Sequence, residues 1–220
     1  KTTTLCQAAA TRLLRSISNT LSMQNVYSPL RQGKRLTASV LLVFTFLFGY
    51  VGEGWGQAWT IGTGTASIST SGITPFSTGW HDGRTQFVYL ASELTAAGMS
   101  AGLVHQFGFD FSAVGGQPAS NVNLKMANTN ASVITSLQSP TWTNVWSSST
   151  VSPTTSATAG SGFNMWTLST PFSWDGSSNI IVEICFDNTS YTSNWGVRCT
   201  NFVSGITYTY GLYIDAVSGC

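Results

Sequence analysis

Apolar residues recur at every second position along several short segments of this chain, which is the spacing of β-strands. The clearest case is residues 103–111, where a leucine, a histidine and three phenylalanines share the odd-numbered positions and therefore one face. Residues 84–91 and 122–126 alternate in the same way. Because a strand with one apolar face packs that face on a core, these segments predict sheets that are buried on one side.

A different pattern at residues 180–186 predicts a central strand. This segment is apolar on both faces apart from Glu183, a composition typical of a strand that is covered on both sides. Pro171 is predicted to end the preceding strand, because proline has no amide hydrogen to donate to a sheet. Asp175, Gly176 and the polar residues after them predict the turn between the two strands.

Helix signals are rare in the chain. Residues 92–99 are the candidate helix, with Ser92 as the N-terminal cap and Gly98 as the stop. Residues 147–161 consist mostly of Ser, Thr, Ala, Gly and Pro, and we expect a long mobile hairpin loop there. About nine short strands separated by turns predict an all-β fold, a single antiparallel β-sandwich of jelly-roll type over residues 59–220.

Residues 1–58 predict a presequence that is removed on export. Basic residues are followed by an uncharged apolar run at residues 36–50 and then by small residues up to Ala58. This order is typical of a secretory signal peptide, and we expect the presequence to be helical. A transmembrane anchor is a weaker alternative, because the run has 15 residues and a spanning helix needs about 20. A transit peptide suits the acid-free start but does not need the apolar run.

The charge of the chain changes once the presequence is set aside. The full chain carries a net charge of +1, but residues 59–220 hold three basic and seven acidic residues, a net charge of −4. A domain this poor in Lys and Arg has no electrostatic footprint for nucleic acid or for an anionic membrane. We therefore expect a mature form that neither binds nucleic acid nor spans a membrane.

Three of the four cysteines follow the predicted cleavage point, an odd number that leaves one thiol over in an exported chain. Cys185 lies in the predicted central strand and is expected to act as a small buried hydrophobic residue. Cys199 and Cys220 are the pair that we consider first for a disulfide. Because Cys220 is the last residue, we also expect the domain to be truncated at its C-terminus.

Several segments, taken in order, resemble a β-sandwich domain of secreted Bacteroidetes proteins. They are TIGTGT from position 60, DGRTQFVYLASEL from 82, STPFSWDGSSNIIVEICFDN from 169 and YGLYIDAVSGC from 210. Such domains belong to large surface or secreted proteins whose sorting domain is used by the type IX secretion system. The resemblance covers most of residues 59–220 and implies a non-catalytic surface or adhesion module with a further strand after Cys220.

Glu183 is the carboxylate that most needs a partner, because an unpaired charge in a central strand costs several kcal/mol. Among the three basic residues after position 58, Arg84 in the strand at 84–91 is the predicted ion-pair partner. The sequence has no GxSxG nucleophile elbow, and His105 is expected to be a core residue rather than a catalytic base. No catalytic residue is predicted.

Asp175, Ser177 and Asn179 alternate within the predicted turn and offer oxygen atoms of the kind that Ca²⁺ binds. The loop lacks the terminal bidentate glutamate of a calcium loop, and such sequences are more often plain turns. We therefore expect no cofactor, with calcium as the minor alternative.

Aromatic residues supply the last candidate site. Trp80, Trp142, Trp146 and Trp195 lie near predicted loops or strand ends, where rings are able to stack on sugars. Aromatic rings also fill sandwich cores, so exposure separates the two interpretations.

The sequence therefore favours a non-catalytic β-sandwich module that is secreted or displayed on a bacterial cell surface, with a role in adhesion or surface structure. Surface polysaccharide or other cell-surface protein domains are the expected partners. A carbohydrate-binding module of a secreted polysaccharide-degrading protein is the first alternative, and a secreted hydrolase is the second.

Overall fold

The computed structural model describes residues 6–7, 11–15, 57–68, 74–201, 208–215 and 219–220. Within these ranges the chain forms twelve β-strands and one short helix. The strands are β1 (Cys6–Gln7), β2 (Thr11–Arg15), β3 (Gln57–Ile61), β4 (Ala66–Ile68), β5 (Asp82–Tyr89), β6 (Gly102–Ala113), β7 (Ala119–Thr129), β8 (Thr143–Val151), β9 (Phe163–Trp174), β10 (Asn179–Asp187), β11 (Gly196–Asn201) and β12 (Thr209–Ile214). The helix, α1, spans Ala91–Ala96. Two antiparallel sheets built from these strands confirm the predicted all-β sandwich.

One sheet has five strands in the order β12-β5-β10-β7-β8. β10 lies in its middle, where Glu183 is opposite Gln86 of β5 and Lys125 of β7. Every residue of β10 except the two at its ends is buried. The prediction of a central strand at residues 180–186 is therefore confirmed.

The other sheet has seven strands arranged around β6. Its main path is β1-β11-β6-β2-β3, while β4 pairs with β11 and β9 pairs with β6. Among the described strands β9 pairs with β6 alone, so β9 lies at an edge.

Aromatic side chains from both sheets form the core between them. Three phenylalanines of β6 are fully buried, and one of them, Phe109, meets Phe87 of β5 edge-to-face with ring centroids 5.8 Å apart. Phe76, from the segment before β5, stacks on Trp195 with ring centroids 4.8 Å apart. Each buried ring contributes about 2–3 kcal/mol by leaving water, so these rings dominate the cohesion between the sheets.

A second apolar cluster lies on the opposite face of the five-stranded sheet. Val88, Ala127 and Ile181, from three neighbouring strands, pack with Ile134 from the segment between β7 and β8. This segment also approaches the sheet at Gln138, whose backbone amide donates a 2.7 Å hydrogen bond to the side chain of Gln86. The segment covers β10 on its second side, which explains why that strand carries apolar residues on both faces.

At the start of β6, the residues that face the core differ from those that were predicted. Val104 is buried, whereas Leu103 is 44% exposed and His105 is half-buried. The pairing register between β6 and β9 shifts between Val104 and Gln106, so the alternation reverses there. The prediction that Leu103 and His105 share the core face with the phenylalanines is therefore wrong.

β9 continues through Pro171, which was predicted to end it. Thr167 pairs with Gln106 of β6, and Phe172 pairs with Val104, so four residues of β9 bulge out between these positions. Pro171 lies inside this bulge of an edge strand, where no ladder hydrogen bond is required of its nitrogen.

The predicted helix is present, but its start differs. Ser92 lies inside α1, and the start is capped instead by Glu93, whose Oε2 accepts a 2.9 Å hydrogen bond from the Leu90 amide. Asn179 of β10 accepts a 2.8 Å hydrogen bond from the Ala91 amide and ties the helix to the sheet. Gly98 has a φ of +91° and follows the helix, as its predicted stop requires.

The polar segment at 147–161 is not the mobile hairpin loop that its composition predicts. β8 extends to Val151, and the following loop connects β8 to β9, which belongs to the other sheet. Asp110 of β6 attaches this loop by accepting hydrogen bonds from Ser156 Oγ at 2.7 Å and from the Gly160 amide at 2.6 Å.

The disulfides also differ from the prediction. Cys185 of β10 is bonded to Cys220, with the Cα atoms 5.2 Å apart, and Cys199 is disulfide-bonded as well. The predicted Cys199–Cys220 pair is therefore wrong, as is the assignment of Cys185 as a free hydrophobic residue. Antiparallel pairing places Cys185 on the outer face, where the terminal segment reaches it; Gly219 donates a 2.5 Å hydrogen bond to Asp187.

The N-terminal region contributes two short strands to the described part of the chain. The structure divides into two compact units, residues 1–15 with 58–220 and residues 16–57. β1 pairs with β11, and β2 pairs with β6, so the chain is extended rather than helical at these positions. The rest of the predicted helical presequence, including its apolar run at 36–50, lies outside the described residues. In the described ranges no helix has the length and hydropathy needed to cross a bilayer.

Candidate functional site

The outer face of the five-stranded sheet carries a buried carboxylate surrounded by donors. Glu183 lies on the central strand, and its side chain is 1% exposed. Arg84 of β5 contacts Oε2 through Nη2 at 2.6 Å and through Nε at 2.7 Å. Lys125 of β7 contacts Oε1 through Nζ at 2.9 Å. The structure thus brings together Arg84 and Glu183, the pair that the sequence predicts, and adds Lys125.

Gln86 completes the surroundings of Glu183. Its side-chain amide donates to Glu183 Oε2 at 2.6 Å and to the carbonyl of Gln138 at 2.9 Å. Gln86 and Lys125 were not predicted as partners, although both are polar residues inside alternating strands. Their assignment depends on the pairing register of three strands, which the sequence does not specify.

These contacts hold Glu183 in its ionised form. Burial by itself would raise the pKa of the carboxyl, but the hydrogen bonds from Gln86, Lys125 and Arg84 more than offset it, and the pKa is lowered from 4.5. Both carboxylate oxygens are engaged by protein donors. Because its charge is compensated only inside this cluster, loss of one partner would leave an uncompensated buried charge.

The candidate calcium residues do not converge on one point. Asp175 Oδ1 accepts hydrogen bonds from the amides of Ser177 and Ser178 at 2.8 and 2.7 Å. Hydrogen bonding from the Ser178 side chain, together with these amides, lowers the pKa of Asp175 to about 2. Asn179 directs its oxygen to the Ala91 amide at the start of α1. Asp175 therefore shapes a turn, and Asn179 joins the helix to the sheet. Within the described ranges, no three His, Cys or carboxylate residues are grouped to hold a metal ion.

Three of the four candidate tryptophans pack against the fold. Trp195 is fully buried and stacks on Phe76, so it belongs to the core. Trp146 is half-buried and stacks on Trp166 with ring centroids 5.0 Å apart. Trp142 is partly buried against the second apolar cluster. The four residues therefore do not form one exposed row.

Trp80 is the exposed member of the set. Its side chain is 45% exposed in the segment that precedes β5. The next residue, His81, stacks on Tyr191 with ring centroids 5.3 Å apart, and Tyr191 is 61% exposed. We call Trp80, His81 and Tyr191 the end-loop surface, because they lie on two loops that meet at one end of the sandwich.

Tyr191 was missed in the sequence, although a signal for it exists. It stands in the polar loop between β10 and β11, with Ser190 before it and Thr192 after it. Loop position made Tyr191 a candidate for exposure, although Trp195 in the same loop is fully buried.

Backbone and side-chain hydrogen bonds fix the two loops to each other. The Thr192 amide donates to the Thr78 carbonyl at 3.0 Å, and Thr78 Oγ1 donates to the Ser193 carbonyl at 2.7 Å. The Gly79 amide donates to Asn194 Oδ1 at 2.7 Å. The rings of the end-loop surface are therefore carried by a braced pair of loops rather than by a free one.

A cavity of about 150 Å³ lies beside the second of these loops. Gly116, Gln117, Ser152 and Trp195 are among the residues that line it. Gln117 also donates a 2.6 Å hydrogen bond to the carbonyl of Ser190, next to Tyr191. The cavity is small compared with the roughly 300–1,000 Å³ of pockets that enclose drug-sized ligands.

No protein family, curated protein or solved structure matches this chain. The functional argument therefore depends on the residues described above.

Proposed function

We propose that the chain is an exported, non-catalytic β-sandwich module of a bacterial cell surface, with a role in adhesion or surface structure. The observation that carries this proposal is the disulfide between Cys185 and Cys220, together with the oxidised state of Cys199. Disulfides form and persist in oxidising compartments outside the cytoplasm. The resemblance to secreted Bacteroidetes domains points to the same location.

The environment of Glu183 suits a structural role rather than acid catalysis. A general acid requires a carboxyl whose pKa is raised towards neutrality, whereas the pKa of Glu183 is lowered. Its two oxygens are bound by Arg84, Lys125 and Gln86. This buried carboxylate therefore acts as part of the scaffold, and the secreted-hydrolase alternative receives no support from it.

Export is tested with the full chain expressed in a Bacteroidetes host. Intact cells are treated either with a protease or with a membrane-impermeant thiol reagent. We expect the protein to be digested by protease on intact cells, and Cys185 and Cys220 to react with the thiol reagent only after reduction. The Cys220→Ser variant is the matched control, because it frees the Cys185 thiol without reductant. Retention inside the cell with freely reactive cysteines in the unaltered protein would contradict the proposal.

A carbohydrate-binding module is the second candidate function. It is favoured by the exposure of Trp80 and Tyr191 on loops that are braced against each other. Both functions require a binding surface on a rigid sandwich, and they differ in the ligand.

A further inference from the structure

We propose that the end-loop surface is a binding site for a neutral pyranose sugar, which stacks on Tyr191 and Trp80. This inference rests on the proposed binding role and assigns that role a place and a ligand class. A pyranose ring has a face of C–H groups and a rim of hydroxyl groups. It is therefore matched by an aromatic ring with polar groups around it.

The exposure of the two rings is the first argument. Five large hydrophobic side chains are strongly exposed among the described residues, and the two aromatic ones, Trp80 and Tyr191, are both at this end of the sandwich. The other three, Leu103, Val133 and Leu212, are aliphatic and isolated from them in the sequence. Exposed aromatic rings retain an unfavourable contact with water that a ligand relieves.

The arrangement of the rings is the second argument. His81 stacks against Tyr191 with an interplanar angle of 30° and supports one side of the phenol ring. Tyr191 remains 61% exposed, so much of its ring is open to a ligand. His81 is itself held by its backbone, because its amide donates a 3.0 Å hydrogen bond to Asp215 Oδ1. A preorganised ring loses little conformational freedom when a ligand stacks on it.

Charge and hydrogen-bonding capacity indicate a neutral ligand. The two loops, residues 74–81 and 188–195, contain neither Lys nor Arg. Asp215 places a carboxylate beside His81, which disfavours an anionic sugar. The Asn194 amide oxygen is bound to Gly79, and among the described residues its amide nitrogen has no partner, so that nitrogen is free to donate to a hydroxyl group. These groups suit the rim of a neutral sugar.

The test measures binding of neutral oligosaccharides of glucose, mannose, galactose, xylose and N-acetylglucosamine to the full chain. Isothermal titration calorimetry and tryptophan fluorescence report affinity, and oligogalacturonate serves as the anionic comparison. We expect at least one neutral oligosaccharide to bind and oligogalacturonate to bind more weakly. Trp80→Ala and Tyr191→Ala are each expected to weaken binding about 5- to 10-fold.

Two control variants separate stacking from folding. Tyr191→Phe keeps the ring and is expected to keep affinity within about twofold, because the stacking face is unchanged. Leu212→Ala removes another exposed hydrophobic side chain, on β12, and is expected to leave binding unchanged. Circular dichroism verifies that each variant is folded.

If none of the neutral oligosaccharides binds the folded chain, the proposed sugar site is wrong. Binding that is stronger for oligogalacturonate, or that neither alanine variant weakens, would contradict the site as well. These outcomes are independent of thiol labelling on cells, so loss of the sugar site would leave export and the surface role to be judged separately.

Discussion

Burying the charge of Glu183 has an electrostatic cost that neighbouring side chains must offset. Its side chain is almost fully buried, while the side chains of Arg84 and Lys125 are 30% and 24% exposed. The two basic side chains therefore extend from solvent to a carboxylate that is buried on the outer face of the five-stranded sheet. Removing the carboxylate leaves two positive charges close together with no counter-charge.

Glu183→Gln is expected to reduce the free energy of unfolding by about 3 kcal/mol, near the lower end of the cost of breaking a buried ion pair. The lower end applies because Arg84 and Lys125 retain contact with water. Glu93→Gln is the matched control, since it makes the same chemical change at the start of α1 and keeps an oxygen for the Leu90 amide. Denaturant unfolding measures both, and equal losses would contradict the buried role.

The stability of the folded chain is also expected to depend on acid pH through Glu183. Folding lowers the pKa of this carboxyl from 4.5, so the folded state favours the ionised form. The resulting stabilisation is complete above pH 4.5 and is lost as pH falls through the lower, folded value. Melting temperatures from pH 6 to pH 3 are expected to fall less in Glu183→Gln than in the unaltered chain. Identical pH profiles would contradict this linkage.

The sequence predicts part of this cluster and misses part for a physical reason. A carboxylate in an apolar strand requires a cation as its partner. Only three basic residues follow position 58, so Arg84 was one of three candidate partners for Glu183. Lys125 and Gln86 are positioned by cross-strand register, which depends on turns and core packing distant from the cluster. Residue type alone does not specify that register.

At the scale of elements, β6 and β9 approach each other closely at Gly108. Gly108 of β6 faces Asn164 and Met165 of β9, and a Cβ added at Gly108 would overlap the Asn164 backbone carbonyl and the Met165 sulfur. The strands therefore approach at a position where only glycine fits.

Gly108→Ala is expected to destabilise the fold by about 3 kcal/mol, because backbone atoms cannot move aside as a flexible side chain does. Gly116→Ala is the control, since the nearest atom to its added Cβ is 3.9 Å away. Its expected effect is within about 0.5 kcal/mol. Thermal unfolding compares the two variants; a Gly108→Ala protein as stable as Gly116→Ala would show that the strands are farther apart than described.

The positions of the strands and the helix were easier to predict than the irregularities within the strands. The central strand at residues 180–186, which is apolar on both faces, and the stop at Gly98 follow from local composition, and both are found. The bulge around Pro171 and the reversal at His105 follow from how β6 and β9 pair, a long-range property. For the same reason the polar segment at 147–161 appeared to be a loop, although its first part continues β8.

At the scale of the whole molecule, one disulfide joins the last residue to the central strand. The Cys185–Cys220 bond spans 35 residues and closes a loop that includes β11 and β12. Such a bond stabilises the fold mainly by restricting the unfolded chain. The sequence did not predict the pair, because three cysteines after position 58 permit several pairings and geometry selects among them.

Cys220→Ser is expected to reduce the free energy of unfolding by about 3–4 kcal/mol, the loop-closure value for this separation. Ser149→Ala, a change at an exposed position of the edge strand β8, is the control and is expected to have little effect. Urea unfolding without reductant measures both variants. Equal midpoints for Cys220→Ser and the unaltered chain would indicate that the bond does not form.

The central claim is that this sandwich is exported and oxidised before it acts at the cell surface. Its most direct test is peptide mapping by mass spectrometry, without reduction, of the protein recovered from the outside of intact cells. We predict a linked peptide pair that joins Cys185 to Cys220. Recovery of the protein only from inside the cells, with Cys185 and Cys220 both alkylated before reduction, would contradict the account.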